Sequence, residues 1–291
     1  MFSRTSALII ILLLIVIICT LICCTVSYFV YKSSPIELYK AFEGKPYLWI
    51  YWEGPKPDYI TLCIESIFKH CKNSFNVILL NNNTINNFLP EIQEKNVYLQ
   101  KLEIPQKVDY YRVALLYKYG GLYLDSDVLV LRDPFEVVAK LKNYDFVGFG
   151  CTGGPCDDGY GRPSNWILAS RKKGILITKV LNNLESKLIK NKHWEYHDLG
   201  KLIFWEELEK LKNTDYKYYH AMHVDSSRDS RGLWVNSERL FSNEPIEYKN
   251  EKNMIFVIIY NSQMDKLRDL SRSYLLSSDL NISKFFRKAL L

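Results

Sequence analysis

From Tyr47 onward, short apolar runs alternate with stretches whose apolar residues recur every three or four positions. That alternation predicts strands and helices in turn. Tyr47-Leu-Trp-Ile-Tyr-Trp52 reads as a strand, and Glu53-Gly-Pro-Lys-Pro57 as a turn. Asp58 is placed to cap a helix through Cys71, with Ile60, Ile64, Ile67 and Phe68 on its apolar side. Phe75 to Leu80 predicts the second strand, and Asn83 or Thr84 opens a helical stretch that ends near Pro90. Pro105 suits the start of a longer helix, because its missing N–H would be unpaired there anyway. Gly120-Gly121 stops that helix, and Leu122 to Leu131 reads as one buried strand. Further strands are predicted at Asp145–Gly150, Asn165–Ser170, Trp234-Val235 and Met254–Tyr260. Helices are predicted at 133–142, 174–190 and 197–211, and one or two basic amphipathic helices at 266–291. Strand and helix in alternation imply an α/β fold with a mostly parallel sheet, whose ligands gather at the carboxyl ends of its strands.

The pattern changes character before Tyr47. Residues 7–31 are apolar and uncharged. As a helix they would span about 37 Å, longer than the ~30 Å hydrocarbon core of a bilayer. A cleaved signal peptide would carry a shorter apolar region and a small-residue cleavage site, so an uncleaved anchor is the expectation. The organisation expected is a cytoplasmic tail (1–6), a transmembrane signal-anchor (7–31), a stem (32–45) and a folded body (46–291). This is a single-pass type II arrangement with the body luminal, Golgi-like, or exterior.

Candidate chemistry concentrates between Pro105 and Arg132. On the expected helix, Val108, Tyr111, Leu115 and Tyr119 share a face, with Arg112 in its middle. An arginine in an apolar stripe must meet an acid or a phosphate, since an unpaired buried charge is too costly. Along the following strand, a period of two puts Asp125 and Asp127 on one face, roughly 6–7 Å apart. Two such carboxylates repel unless a cation lies between them.

Composition adds bounds rather than chemistry. The chain has 291 residues, 48% of them apolar, enough for one large domain or two small ones. Its net charge of +6 is scattered, so no nucleic-acid footprint is present. Cys19, Cys23 and Cys24 fall within the apolar run, while Cys151 and Cys156 would close a small disulfide loop in an oxidising compartment. The loop from Cys151 to Pro163 also carries Asp157 and Asp158 and, rich in glycine, is a candidate acceptor-side or mobile wall. His220 or His223 could supply a third metal ligand. Asn82 and Asn281 each fit a glycosylation sequon. No G-x-x-x-x-G-K-[ST] phosphate loop occurs.

The ordered set Asp109, Arg112, Gly120-Gly121 and Asp125-Ser-Asp127 resembles a family of GT-A-fold glycosyltransferases. It groups the yeast-type initiating mannosyltransferases, the capsular polysaccharide synthesis proteins and the glucosylating clostridial toxins. The run Trp49-Ile-Tyr-Trp-Glu-Gly54, with Cys63 and Ser66 on the next helix, is similar to the capsule-type members. The resemblance covers about Tyr47 to Ser170. It implies a nucleotide-sugar donor, either a UDP- or a GDP-sugar. It implies Mn²⁺ or Mg²⁺ held by Asp127 and, directly or through water, by Asp125. Asp109 and Arg112 would hold the donor sugar or its phosphates, and Trp52 would stack on the nucleobase. The acceptor would be a glycan, glycolipid or glycoprotein, and transfer would retain the anomeric configuration.

Two other readings stand beside it. Leu122-Tyr-Leu-Asp-Ser-Asp-Val128 also resembles the strand end of haloacid-dehalogenase-type phosphatases, where the first aspartate is a nucleophile. The remaining motifs of that family are not in order here, and Asp109 and Arg112 would be idle. A membrane-tethered binding protein without catalysis would carry the same acids.

Overall fold

The computed structural model describes residues 44–150, 162–190, 193–211, 216–220 (backbone only), 226–259 and 265–291. The expected anchor at 7–31, the Cys151–Cys156 pair, Asp157 and Asp158, and the side chains of His220 and His223 lie outside them. Among the described residues no helix is long and apolar enough to cross a membrane.

Strands β1 (Tyr47–Tyr51), β2 (Asn76–Leu80), β3 (Gly121–Leu124), β5 (Phe146–Gly150), β6 (Pro163–Ser170) and β7 (Tyr216–His220) form one sheet in the order β2-β1-β3-β6-β5-β7. β1 pairs parallel with both β2 and β3, and β5 pairs parallel with β7. β6 runs antiparallel to β3 and to β5. The sheet is therefore mixed, where alternation alone predicted mostly parallel pairing. The reversal comes from β6, the next described element after β5, which pairs antiparallel with it; such a pair needs no crossover helix.

The predicted strand from Leu122 to Leu131 is two strands. β3 stops at Leu124, residues 125–127 turn, and β4 (Val128–Val130) pairs antiparallel with β8 (Phe256–Ile258) in a separate two-stranded sheet. The turn closes with Val128 N–H donating to Asp125 O at 3.1 Å. Apolar residues flank it on both sides because both strands are buried, and that continuity hid the break.

Helix α1 (Asp58–Cys71) lies against β4, and α2 (Ile104–Tyr119) precedes β3. Asp58 begins α1, but it makes no side-chain cap; its Oδ2 accepts from Arg272 N–H at 2.6 Å. α2 carries proline in its first turn, as expected, and Glu103 with Gln106 forms a capping box. Residues 109–116 of α2 are all buried, so Arg112 sits inside the body. Two apolar clusters among the described residues flank this region. One joins Trp49, Tyr110, Leu115 and Tyr123 to α3 (Ile175–Ile189) and α4 (Lys201–Leu208). The other joins Tyr59, Cys63 and Leu129 to α5 (Arg272–Ser277) and α6 (Asn281–Leu290).

Other expectations shift at their ends. The helix expected at 197–211 is only Lys201–Leu208, and Trp234 makes an isolated bridge with Arg228 rather than a strand. Asn281 is not available as a glycosylation site. It is 5% exposed, and its Nδ2 donates to Arg239 O at 3.0 Å and to Glu244 O at 2.6 Å. Asn82 is exposed.

Candidate active site

The Gly120-Gly121 pair does more than stop α2. Gly121 has φ +100°, and a Cβ there would overlap the Tyr47 carbonyl oxygen. Gly120 has φ +71°, and its Cβ would meet Lys172 N at 2.7 Å. Only glycine allows β3 to lie this close to β1 and β6. Trp49 reinforces the junction, with Nε1–H donating to Gly120 O at 3.0 Å. That registry sends the acidic turn out of the sheet at the carboxyl ends of β1 and β3. Trp49 pairs with Tyr123 across them, so continuing the register brings Trp52 beside the turn. Trp52 is partly buried, and its Nε1–H donates to Gly54 O at 3.1 Å.

Past the turn, the buried Ser66 of α1 accepts from Val130 N–H at 2.9 Å, which fixes the exit of the chain. On the entry side Asp125 N–H donates to Trp166 O at 2.9 Å. Ile259 N–H donates to Asp127 O at 3.1 Å. The two carboxylates thus stand on a backbone held from three directions.

Arg112 is 5% exposed and is the hub. Its Nη2 lies 3.1 Å from Asp125 Oδ1 and 3.3 Å from Asp109 Oδ1. Its Nη1 donates to Asn165 O, and its Nε to Val108 O at 3.4 Å. The guanidinium also sits 4.9 Å from the Tyr123 ring centroid. The arginine inferred from the helix pattern to need an acid therefore has two.

Asp109 is buried as deeply, and Asn165 Nδ2 donates to it at 2.8 Å. Burial pushes the Asp109 carboxyl up to about 7; Arg112 and Asn165 oppose this, and the Asp125 charge adds to it. Burial likewise raises Asp125, with Arg112 pulling it back. Burial disfavours the Arg112 charge, but Asp125, Tyr123 and Asp109 together hold it above its ordinary value.

The structure brings Asp109, Arg112 and Asp125 into one network, with Asp127 on the same turn. The sequence reading missed four further participants. Asn165 and Trp166 come from the reversed strand, whose position no local pattern announces. Gly200 packs so tightly that a Cβ would meet Asp109 Oδ2 at 2.5 Å and Asn165 Nδ2 at 2.6 Å. Tyr196 is 57% exposed; burial and then the nearby Asp125 and Asp109 charges raise its hydroxyl above the ordinary tyrosine range, with Arg112 opposing them, so it lies near the site. One spacing was also passed over: Gly148-Phe-Gly150-Cys-Thr-Gly153 has the spacing of a dinucleotide fingerprint. It begins inside β5 and runs beyond the described residues, and the next described element is strand β6 rather than a helix, which is not the context that fingerprint needs.

A divalent cation fits the donor set. Mg²⁺ and Mn²⁺ take oxygen ligands and are commonly held by one or two carboxylates plus substrate phosphate. Asp125 and Asp127 supply that number, and no cluster of three or more potential ligands exists among the described residues.

The family model described as capsular polysaccharide synthesis protein matches residues 27–278. No curated protein sequence matches. Among solved structures, the glycosyltransferase GlyE of Streptococcus pneumoniae TIGR4 is 14% identical with a TM-score of 0.46, covering 85% of this chain and 60% of its own. The galactosyltransferase LgtC is 13% identical with a TM-score of 0.42, covering 83% of this chain and 94% of its own. The bifunctional glycosyltransferase WbbM is 10% identical with a TM-score of 0.46, covering 84% of this chain and 50% of its own. This chain thus spans less than two thirds of GlyE and of WbbM. The family match runs through the acidic turn, the Arg112 network and most of the C-terminal region, and by it the chain belongs to the capsular polysaccharide synthesis protein family, as a glycosyltransferase.

Proposed function

We propose that the chain transfers a sugar from a UDP- or GDP-sugar to a glycan, glycolipid or glycoprotein acceptor, with Mn²⁺ or Mg²⁺ at Asp125 and Asp127. The observation that carries this is the acidic turn itself. It stands at the carboxyl ends of parallel strands, where ligands of open α/β sheets bind, and a buried arginine fixes one of its two acids.

The roles follow from the contacts. Asp125 and Asp127 hold the cation and, through it, the donor diphosphate. The bound ion would offset the negative charge that grows on the leaving diphosphate. Arg112 has Nε, Nη1 and Nη2 engaged by protein acceptors, so it acts by holding Asp125 and Asp109 in place. Asp109, with Asn165, faces the donor sugar from behind Arg112. Trp52 offers its ring to the nucleobase from the end of β1. Retention of configuration needs no protein nucleophile when the acceptor attacks the face the leaving group vacates. A phosphatase would need Asp125 as a free nucleophile, and its carboxylate is ion-paired. The uncharged run at 7–31 supports anchoring in a membrane as a single-pass type II protein.

The test offers the full chain, with Mn²⁺, a panel of UDP- and GDP-sugars and follows release of the nucleoside diphosphate. Consumption of one donor, lost on chelation, supports the proposal. Turnover of an aryl phosphate with no donor consumed would make the chain a phosphatase. Neither activity would leave a binding protein.

A further inference from the structure

The outer side of α1 carries a groove that takes no part in the acidic turn or its arginine network. It measures about 450 Å³ and runs along the helix from Lys56, in the turn after β1, to Lys72 at the helix end. Ile64 and Phe68 make its apolar floor, and Phe68 is 38% exposed. Lys56, Lys69 and Lys72 stand on its rim, all exposed, and none of them makes an ion pair among the described residues. Glu65 is the one acid that lines it, and its charge is already met. Arg272 donates to both of its carboxylate oxygens, at 2.7 and 2.8 Å. Lys45 adds a fourth cation at the far end, with Nζ donating to Lys72 O at 3.3 Å.

Folding alone does not account for this arrangement. Like charges gathered on one side of a helix repel, and a phenyl ring left in water contributes no burial energy. The carbonyls at the end of α1 favour Lys69 and Lys72, but that effect fades within one turn and does not reach Lys56 at the other end. A ligand with negative charge and an apolar face would satisfy both features at once.

Shape and position narrow the ligand further. Asp58 to Cys71 makes α1 about 20 Å long, so the groove takes a chain lengthwise, whereas a bilayer presents a flat surface. The Lys56 end follows Trp52 at the carboxyl end of β1, and α1 packs on β4, the strand that leaves the acidic turn. A chain lying in the groove therefore arrives at the edge of the sheet where the acidic turn stands.

We propose that this groove binds an acidic carbohydrate chain, and that the acceptor is a polyanionic glycan. Its acidic groups lie on Lys56, Lys69 and Lys72, and the C–H face of one sugar ring packs on Phe68. Calling this glycan the acceptor rests on the transferase reading; binding of an acidic glycan in the groove does not.

The experiment follows fluorescence polarisation of labelled oligogalacturonate, which is acidic, and of neutral malto-oligosaccharide of the same length. It uses the full chain in non-ionic detergent, without donor or metal. Wild type should bind the acidic probe about tenfold or more tightly than the neutral one, and high salt should remove most of that difference. The double variant Lys69→Gln, Lys72→Gln should weaken acidic binding about tenfold, and Phe68→Ser should weaken it severalfold at either salt, each with a melting temperature close to wild type. The double variant Lys179→Gln, Lys190→Gln removes the same charge from exposed lysines outside the groove and should bind as wild type does. Asp127→Asn should also bind as wild type does while losing donor use, which separates failure of this proposal from failure of the transferase reading. No binding of the acidic probe, equal binding of both probes, or an equal loss in the two double variants overturns the proposal. Weaker association of the Lys69, Lys72 variant with phosphatidylserine vesicles and unaltered glycan binding would make the groove a lipid contact and overturn it too.

Discussion

Replacing Arg112 by alanine removes the one cation between two acids. The side chain contributes two ion-pair contacts through Nη2, at 3.1 and 3.3 Å, a bond from Nη1 to Asn165 O and a ring contact to Tyr123. Breaking a buried ion pair by deleting one partner costs about 3–5 kcal/mol. Two features of the site pull the value to the low end. Burial already raises Asp109 to about 7 with Arg112 opposing it, so without Arg112 that carboxyl is neutral at pH 7 and leaves no bare charge. The Asp125 side chain is 28% exposed and regains some water. The expected loss is therefore about 3 kcal/mol, or about 6–12 °C in melting temperature for a body of this size. Urea unfolding at pH 7, followed by circular dichroism, measures it. Arg112→Lys keeps the charge but not the fork, and should fall between the two. A loss below about 1 kcal/mol for Arg112→Ala would show that the network contributes no more than a surface ion pair, and the site geometry would be wrong.

Other outcomes follow from the same contacts. A carboxyl raised to about 7 binds more protons folded than unfolded, so Asp109 lowers stability as pH rises from about 4 to about 7; Asp109→Asn should flatten that part of the stability–pH curve, and an unchanged slope would contradict the burial of its charge. Gly200→Ala pushes a methyl into Asp109 and Asn165 and should lower kcat about 100-fold with little change in fold; full activity would show that Asp109 need not be placed. Gly121→Ala meets both a positive φ and the Tyr47 carbonyl, so thermal unfolding should report a loss of about 2–3 kcal/mol, and a neutral result would place β3 too close to β1.

The candidate site was legible as a cluster because it is local. Asp109, Arg112, Gly120, Gly121, Asp125 and Asp127 lie within one helix–turn–strand unit, and each is demanded by short-range geometry: a helix spacing, a positive φ, a pair of acids after an apolar run. What escaped depends on pairing between distant segments. Asn165 reaches Asp109 only because β6 runs backward beside β3. Gly200 matters through a contact that its own neighbourhood does not mark. The turn at Asp125–Asp127 was hidden for another reason. An apolar sequence reads the same whether its strand stays in one sheet or leaves for a second, and only the pairing of β4 with β8 decides. Asn281 shows the limit of a motif read alone, since the sequon is present and the side chain is buried in hydrogen bonds.

The most direct test of the acidic turn is a calorimetric titration of UDP and GDP into the full chain, with and without Mn²⁺, for wild type and Asp127→Asn. Wild type should bind one of the two nucleotides in a Mn²⁺-dependent way, and Asp127→Asn should lose that dependence while its melting temperature holds. Nucleotide binding by Asp127→Asn with wild-type affinity and wild-type dependence on Mn²⁺ would contradict the metal site.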